Sequence, residues 1–211
     1  MGGVLRAEPL WAETFTGLRM RQLAPLFGVS PATVCRVIQR LRPLPAIESV
    51  VCPADAVERL WIVDGTLIPF RDRKTGISSR NYRFPANVQV IIDADTKLVT
   101  AEARPVPGNT ADARARRDSG PAAVCEGLTM LADGAYINTG LVVPHRKRPG
   151  RALLPGKEED DAEHRRVRAR VEHAFARMKH CKILHDCRQR ANGLHHAVQA
   201  VAHMNNLAMA A

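Results

Sequence analysis

The sequence predicts an α/β fold, in which a sheet is covered by helices and preceded by a small helical segment. Strand-like apolar runs come first, at residues 60–68, 87–93 and 97–103. A further strand at 128–132 is followed by helical patterns at about 160–181 and 193–209. The helical period at 18–42 precedes all the strands and ends before two prolines. We therefore predict a helical segment and linker at 1–55 and an α/β domain at 56–211.

Composition limits the class of protein and the kind of partner. A chain of 211 residues that is 45% hydrophobic is long enough to bury a proper core. The formal charge of +10 favours a polyanionic partner. Five cysteines without a C-x-x-C pair indicate reduced thiols. No apolar run approaches the ~18 residues of a membrane span. We expect a cytoplasmic protein with no membrane partner.

The segment at 20–41 has the features of a helix-turn-helix. Ala24 is small where two helices would cross, and Gly28 suits the left-handed turn between them. Ser30 is placed to cap the second helix, with Pro31 at its first position. The apolar stripe of that helix is Val34, Val37, Ile38 and Leu41. The pattern predicts a pair of helices with one exposed face on the second.

The exposed face of the second helix carries Thr33, Arg36 and Arg40. Side chains of this kind at the start of a recognition helix can enter the major groove of double-stranded DNA. We interpret them as the DNA-reading residues. The alternative is an ordinary helical hairpin that serves packing.

Turns separate the strands that follow. Residues 91–99 read as a hairpin that turns at 93–96, which makes Asp93 and Asp95 turn residues. Residues 107–110 close this unit and start a helix, which Asp112 caps or opens, with an approach to the functional site as the alternative. A fifth strand is a candidate at 141–143, and the acidic run at 158–161 reads as the solvated start of the long helix.

Three carboxylates stand out by their positions. Asp64 interrupts the apolar run 60–68, and Asp133 ends the strand 128–132. Glu172 lies on the long helix, where Arg168, Glu172 and Lys179 fall within roughly 40° at about 100° per residue. A simpler interpretation also exists for each. Asp-Gly is a common turn dipeptide, and Glu172 could simply pair with Arg168.

The three acids together are suited to metal chemistry. Crowded carboxylates repel one another, so a divalent cation would supply a reason for them to coexist. Two such ions about 4 Å apart are the usual means of breaking and joining phosphodiesters. In a strongly basic chain, the acid-bearing substrate we expect is a nucleic-acid backbone. The loop Arg146, Lys147, Arg148 and Arg151 is a candidate clamp for that backbone, with a solvated basic loop as the alternative.

These motifs resemble those of a known family. Asp64-Gly65-Thr66, the run 132–136 with Asp133, and the spacing Arg168-x₃-Glu172-x₆-Lys179 look like the signature of DDE-superfamily transposases. The nearest resemblance is to the bacterial insertion-sequence five group. The runs 107–112 and 171–179 are also similar to that group, and the similarity covers most of 60–209.

The resemblance implies a ribonuclease-H-like mixed sheet, with Asp64 on the first strand and Asp133 just after the fourth. It implies that Asp64, Asp133 and Glu172 bind two Mg²⁺ ions, with Mn²⁺ as a possible substitute for Mg²⁺. Arg168 and Lys179 would orient the glutamate or hold DNA backbone. The expected activity is cleavage at the element's ends and joining to target DNA, by a homodimer or larger synaptic assembly.

Two alternatives remain within the same fold. One is a catalytically inactive copy that acts as a DNA-binding protein. The other is a nuclease of DDE type that cuts DNA without rejoining it.

Overall fold

The structure is a computed structural model that describes residues 18–41, 53–70, 84–118, 126–185, 187 and 192–210. Most of the predicted linker, with Pro43 and Pro45, lies outside the described residues. None of the helices described has both the length and the apolar character that crossing a membrane requires.

The N-terminal helices form the predicted pair, α1 (Met20–Leu26) and α2 (Pro31–Leu41). Gly28 adopts a φ of 62° in the turn between them. The Ser30 hydroxyl accepts from the backbone N–H of Thr33 at 3.1 Å and so caps α2. Leu23, Ala24 and Val34 form a small core between the helices. The predicted turn, cap and helix crossing are therefore confirmed.

The α/β part is built on a mixed sheet of five strands. The strands are β1 (Leu60–Phe70), β2 (Phe84–Asp93), β3 (Val99–Glu102), β4 (Val106–Pro107) and β5 (Thr129–Leu131). Their order is β3-β2-β1-β5, with β4 also paired to β2. β1 runs antiparallel to β2 and parallel to β5. This confirms the predicted ribonuclease-H-like α/β class.

Alternation along β1 gives the sheet two different faces. One face carries Ile62 and Ile68 and packs against the long helices α4 (Pro155–His180) and α6 (Gly193–Ala210). The predicted stripe of α4 joins that core, with Val171, Phe175 and Met178 buried and Val167 partly buried. Burying side chains of this size stabilises a fold by about 1.5–3 kcal/mol each. The helix is thereby fixed across β1.

The opposite face is covered by shorter elements. Trp61, Val63 and Ile91 pack there against Tyr136 of the 3₁₀ turn Gly134–Tyr136. The helix α3 (Asp112–Asp118) contacts β2 and that turn on the same side. A short helix α5 (Lys182–His185) links the two long ones.

Several boundaries differ from the prediction. The long helix begins at Pro155 rather than near 160, because proline is well suited to the first turn. Its acidic run therefore lies within the helix, and Asp161 is buried, where it accepts from the backbone N–H of His145 at 2.8 Å. Residues 141–143 contribute a single bridge, between Leu131 and Val142. The two-residue β4 is a strand that the sequence pattern does not predict. With β4 counted, Asp133 follows the fifth strand rather than the fourth.

Asp93 has the predicted turn role, and the surrounding donors explain why. Its buried carboxylate accepts from Arg59 Nη1 at 2.6 Å and from the N–H groups of Asp95 and Thr96 at 2.8 and 3.0 Å. Burial alone would raise the pKa of Asp93, but these donors hold it below the usual value. Its contribution to stability is present above the unfolded pKa, near ~3.9, and is lost as pH falls through the folded pKa.

We predict that Asp93→Asn lowers the free energy of unfolding at neutral pH by about 1–3 kcal/mol. The loss should shrink as the pH falls from about 4, near the unfolded pKa, through the lower pKa of the folded carboxyl group, where the wild-type side chain also becomes protonated. Thermal unfolding across this range measures it. Asp95→Asn is the matched control, since that side chain is 80% exposed in its ion pair with Arg170. Equal effects of both substitutions would contradict this account.

Candidate active site

The register of two parallel strands brings Asp64 and Asp133 to the same level. Leu60 lies opposite Thr129 and Ile62 opposite Leu131. Asp64 and Asp133 each come two residues after the last of these pairs, Asp64 within β1 and Asp133 beyond the end of β5. Ile62 and Leu131 both face α4, so alternation points both aspartates toward that helix as well.

Asp64 is held at each of its carboxylate oxygens. Oδ1 accepts from the backbone N–H of Gly65 at 2.9 Å, and Oδ2 accepts from Arg168 Nη2 at 3.1 Å. Burial raises the pKa of this carboxyl above the usual value, and the charge of Asp133 adds to the rise. Arg168 and the Gly65 N–H oppose it. The result is an aspartate whose ionisation depends on a nearby cation.

Glu172 joins the group through the same guanidinium. Arg168 Nη2 also donates to Glu172 Oε1 at 3.4 Å, so one nitrogen lies between the two acids. Burial opposes the charge on Arg168, but Asp64, Asp133 and Glu172 together raise the pKa of Arg168 above normal. The side chain of Glu172 is 61% exposed, whereas that of Asp64 is 11% exposed. The helical face predicted from spacing therefore brings Arg168 to Asp64, and Glu172 contacts the same guanidinium.

Lys179 lies apart from this cluster. It is about 10 Å further along α4 than Glu172, at about 1.5 Å of rise per residue. Partial burial lowers the pKa of its ammonium group. The structure thus does not bring Lys179 to Glu172, although both lie on one helix.

Asp133 also has a local structural role. It precedes the 3₁₀ turn and accepts from the backbone N–H of Ala135 at 2.9 Å. The simpler interpretation as a turn residue is therefore correct for the backbone. The side chain remains partly exposed beside Asp64, so the two roles are compatible.

The chemistry of the donor set fits a hard divalent cation, because three carboxylates supply oxygen ligands. Within the residues that the structure describes, no three His, Cys, Asp or Glu side chains are gathered closely enough to hold a metal ion. The guanidinium of Arg168 stands between Asp64 and Glu172 instead. It therefore serves as the positive charge among these acids.

Sequence reasoning missed the polar layer on the other face of the sheet. Asn87 and Gln89 are buried in β2, and both bond to Asp112, for which the sequence predicts the start of a helix, with an approach to the site as the alternative. The signal was present, since two amides alternate with apolar residues inside a strand that is otherwise buried.

The basic loop is tied to the start of α4. His145 Nε2 lies 3.5 Å from an oxygen of Asp160, and Lys147 Nζ lies 3.8 Å from Glu158. Arg146 and Arg148 are exposed. The acidic run therefore balances part of the loop's charge and leaves its arginines facing solvent.

The predicted reading face of α2 is open to solvent. Arg36 and Arg40 are exposed, and Arg36 donates to the hydroxyl of Thr33 at 3.3 Å and to the carbonyl of Ala32 at 3.4 Å. These local bonds hold the guanidinium along the helix surface.

Comparison with known proteins gives two matches. Residues 55–207 match the profile of a family described as Transposase DDE domain. Over 195 residues the chain is 50% identical to a protein of Streptomyces albus G that is assigned as a transposase for insertion sequence element IS112. That alignment covers 92% of this chain and 75% of the relative.

We predict that Arg168→Ala lowers the free energy of unfolding by about 2 kcal/mol at pH 8, because it leaves a buried carboxylate without its cation. Removing the guanidinium raises the already elevated pKa of Asp64 further. The deficit should therefore shrink toward acid pH, where the carboxyl is protonated with or without Arg168.

Urea unfolding at a series of pH values measures this effect. Arg166→Ala is the matched control on the same helix, since Arg166 is exposed in its pair with Glu163. A deficit for Arg168→Ala that stays constant with pH would contradict the assignment of Arg168 as the partner of Asp64.

Proposed function

This chain belongs to the family of transposases that carry a DDE domain, and from that premise we propose that it cuts DNA at the ends of an insertion sequence and joins the freed ends to target DNA. Asp64, Asp133 and Glu172 are the proposed catalytic and metal-binding residues. The observation that carries the proposal is the contact of Arg168 with both Asp64 and Glu172. The register of β1 and β5 supports it, because it pairs Ile62 with Leu131, two residues before Asp64 and Asp133.

The proposed reaction has two displacements at phosphorus. In cleavage, a water oxygen bonds to phosphorus and the bond to the 3′ oxygen breaks. This leaves a 5′ phosphate and a 3′ hydroxyl. In joining, that hydroxyl attacks a phosphodiester of the target and loses its proton, and the target's own 3′ oxygen leaves and takes up a proton. Neither step needs an oxidant or a reductant.

The chain's own groups would prepare the site for these steps. The Gly65 N–H and Arg168 hold both oxygens of Asp64 in place, and Asp133 is fixed by its turn. Divalent ions such as Mg²⁺ or Mn²⁺, when bound by the three acids, would lower the pKa of water and stabilise charge on the phosphate oxygens. Arg168 would then pair less closely with the acids, and its guanidinium could bind a DNA phosphate.

The binding of double-stranded DNA is proposed for two regions. Thr33, Arg36 and Arg40 on α2 would read bases in the major groove, with Ser30 fixing the start of the helix. Arg146, Lys147 and Arg148 would contact the backbone, helped by the exposure of the two arginines. Lys179 is proposed as a further contact to backbone rather than as a partner of Glu172. Two element ends must meet for transposition, so a homodimer or larger synaptic assembly is proposed.

We predict that Asp64→Asn, Asp133→Asn and Glu172→Gln each reduce cleavage of DNA bearing the element's ends by at least about 10³-fold, because each removes a charged ligand. Duplex affinity should stay within about twofold, since α2 is unchanged. Gel assays with Mg²⁺ and with Mn²⁺ measure both quantities. Glu163→Gln is the matched control, as Glu163 is an exposed acid on the same helix as Glu172.

The alternatives give different results in the same assays. An inactive DNA-binding copy would bind the duplex and leave it uncut in either metal. A nuclease without strand transfer would cut the ends but fail to join pre-cut ends to target DNA. Undiminished cleavage by Asp64→Asn would contradict the proposed site itself.

We predict that Arg36→Ala weakens binding to the element's terminal sequence by about 1–3 kcal/mol, the usual cost of losing one direct base contact. Binding to an unrelated duplex should change much less, because contacts to the backbone remain. Fluorescence anisotropy at fixed salt measures both affinities. An equal loss on both duplexes would show that Arg36 contacts the backbone instead of bases.

A further inference from the structure

A buried polar layer lies on the face of the sheet turned away from α4. The register of β1 and β2 sets Gly65 opposite Gln89 and Leu67 opposite Asn87, so all four share that face. Asn87 and Gln89 are 5% and 2% exposed. Buried amides are costly unless they are hydrogen-bonded, so their partners define what this layer does.

The partners lie at the start of α3. Asn87 Nδ2 donates to Asp112 Oδ1 at 2.6 Å and to the carbonyl of Thr110 at 3.2 Å. Gln89 Nε2 donates to the main-chain carbonyl of Asp112 at 2.8 Å. Two side chains of one strand therefore fix both the side chain and the backbone of Asp112. An acid that merely opens a helix needs neither bond.

Asp112 also comes into close contact with the residue that follows Asp64. A Cβ atom added to Gly65 would lie 2.5 Å from Asp112 Oδ1 and 3.2 Å from Asn87 Oδ1. Any larger residue at position 65 would therefore force the Asp112 carboxylate to shift. The N–H of the same Gly65 donates to Asp64 Oδ1 at 2.9 Å. Asp112 thus lies against Gly65 on one face of the sheet, and Asp64 accepts from the N–H of the same residue.

Tyr136 gives a second, independent sign that Asp112 belongs to this centre. The residue is fully buried, and among the described residues its hydroxyl has no hydrogen-bond partner. Burial raises the pKa of Tyr136, and the negative charges of Asp112, Asp64 and Asp133 raise it further. The hydroxyl therefore lies where the fields of all three carboxylates act.

We propose that Asp112 is a positioning residue of the active site, which holds the Gly65 peptide in place so that its N–H fixes the carboxylate of Asp64 for a divalent cation. This inference rests on the proposed function. Asp112 touches neither DNA nor the cation in this account. Its effect passes through Gly65, and Asn87 is the donor that keeps Asp112 in place. Supporting groups of this kind typically change metal affinity by about 10–100-fold when they are removed.

The test measures Mn²⁺ affinity of the full chain by electron paramagnetic resonance, without DNA. Asp112→Ala should weaken Mn²⁺ binding at least about tenfold. Asp112→Asn should stay within about threefold, because its amide oxygen still accepts from Asn87. Asp118→Asn is the matched control on the same helix, since Asp118 is exposed in its pair with Arg114.

Kinetics separate positioning from a purely structural role. The Mn²⁺ concentration for half-maximal cleavage should rise about tenfold in Asp112→Ala, with the rate largely recovered at saturating metal. A structural defect would instead lower the active fraction, so the rate would fall at every concentration and the midpoint would not move. That second pattern would overturn the proposal.

Other results distinguish this proposal from the proposed function. If Asp64→Asn abolishes Mn²⁺ binding while Asp112→Ala binds as wild type does, the role of Asp112 is refuted and the function stands. If Asp64→Asn and wild type bind Mn²⁺ equally, the proposed metal site fails. Should Asp112→Ala not fold, Gly65→Ala replaces it, because its Cβ would displace Asp112. Unchanged Mn²⁺ affinity in a folded Gly65→Ala would then refute the proposal.

Discussion

The ion pair between Arg168 and Asp64 is the contact on which the candidate site depends. It joins the long helix α4 to the central strand β1 at 3.1 Å, and the same nitrogen reaches Glu172 at 3.4 Å. A buried carboxylate beside a second acid is costly in a low dielectric, so a cation must stand close by. Val171, Phe175 and Met178 make this possible, because their burial against the sheet sets the helix at the level of Asp64. The packing of α4 against the sheet therefore determines which charged group lies beside Asp64.

The position of Gly65 connects the two faces of the sheet. Its N–H donates to Asp64 on the side of α4. Because glycine has no Cβ, Asp112 can lie close to it on the other side. Strand alternation makes such a division natural, since neighbouring residues point to opposite faces. Asp64 then lies on the face that packs against the long helices, and Asp112 lies on the face that is covered by α3 and the 3₁₀ turn. Arg168 provides positive charge beside Asp64 and Glu172.

The sequence predicted the fold class and the helix-turn-helix because each depends on local patterns. Gly28, Ser30 and the apolar stripe of α2 determine their turn and cap within a few residues. Asp64 and Asp133 stand out because each interrupts or ends an apolar strand.

Other features depend on distant partners. The pairing of β4 with β2, the bonds from Asn87 and Gln89 to Asp112, and the bridging by Arg168 join residues far apart in the chain. No local periodicity encodes such contacts. Lys179 and Glu172 share a face when only the angle around the helix axis is considered, but the rise of seven residues along the axis separates them.

The central claim is that Asp64 and Asp133, set level by two parallel strands, share a divalent cation beside Glu172. A crystal of this chain soaked in Mn²⁺ and measured at the manganese absorption edge tests it most directly. We expect an anomalous peak between the carboxylates of Asp64 and Asp133, with the Arg168 guanidinium withdrawn from Asp64. Peaks confined to other acids, with the Arg168–Asp64 pair intact at saturating Mn²⁺, would contradict it.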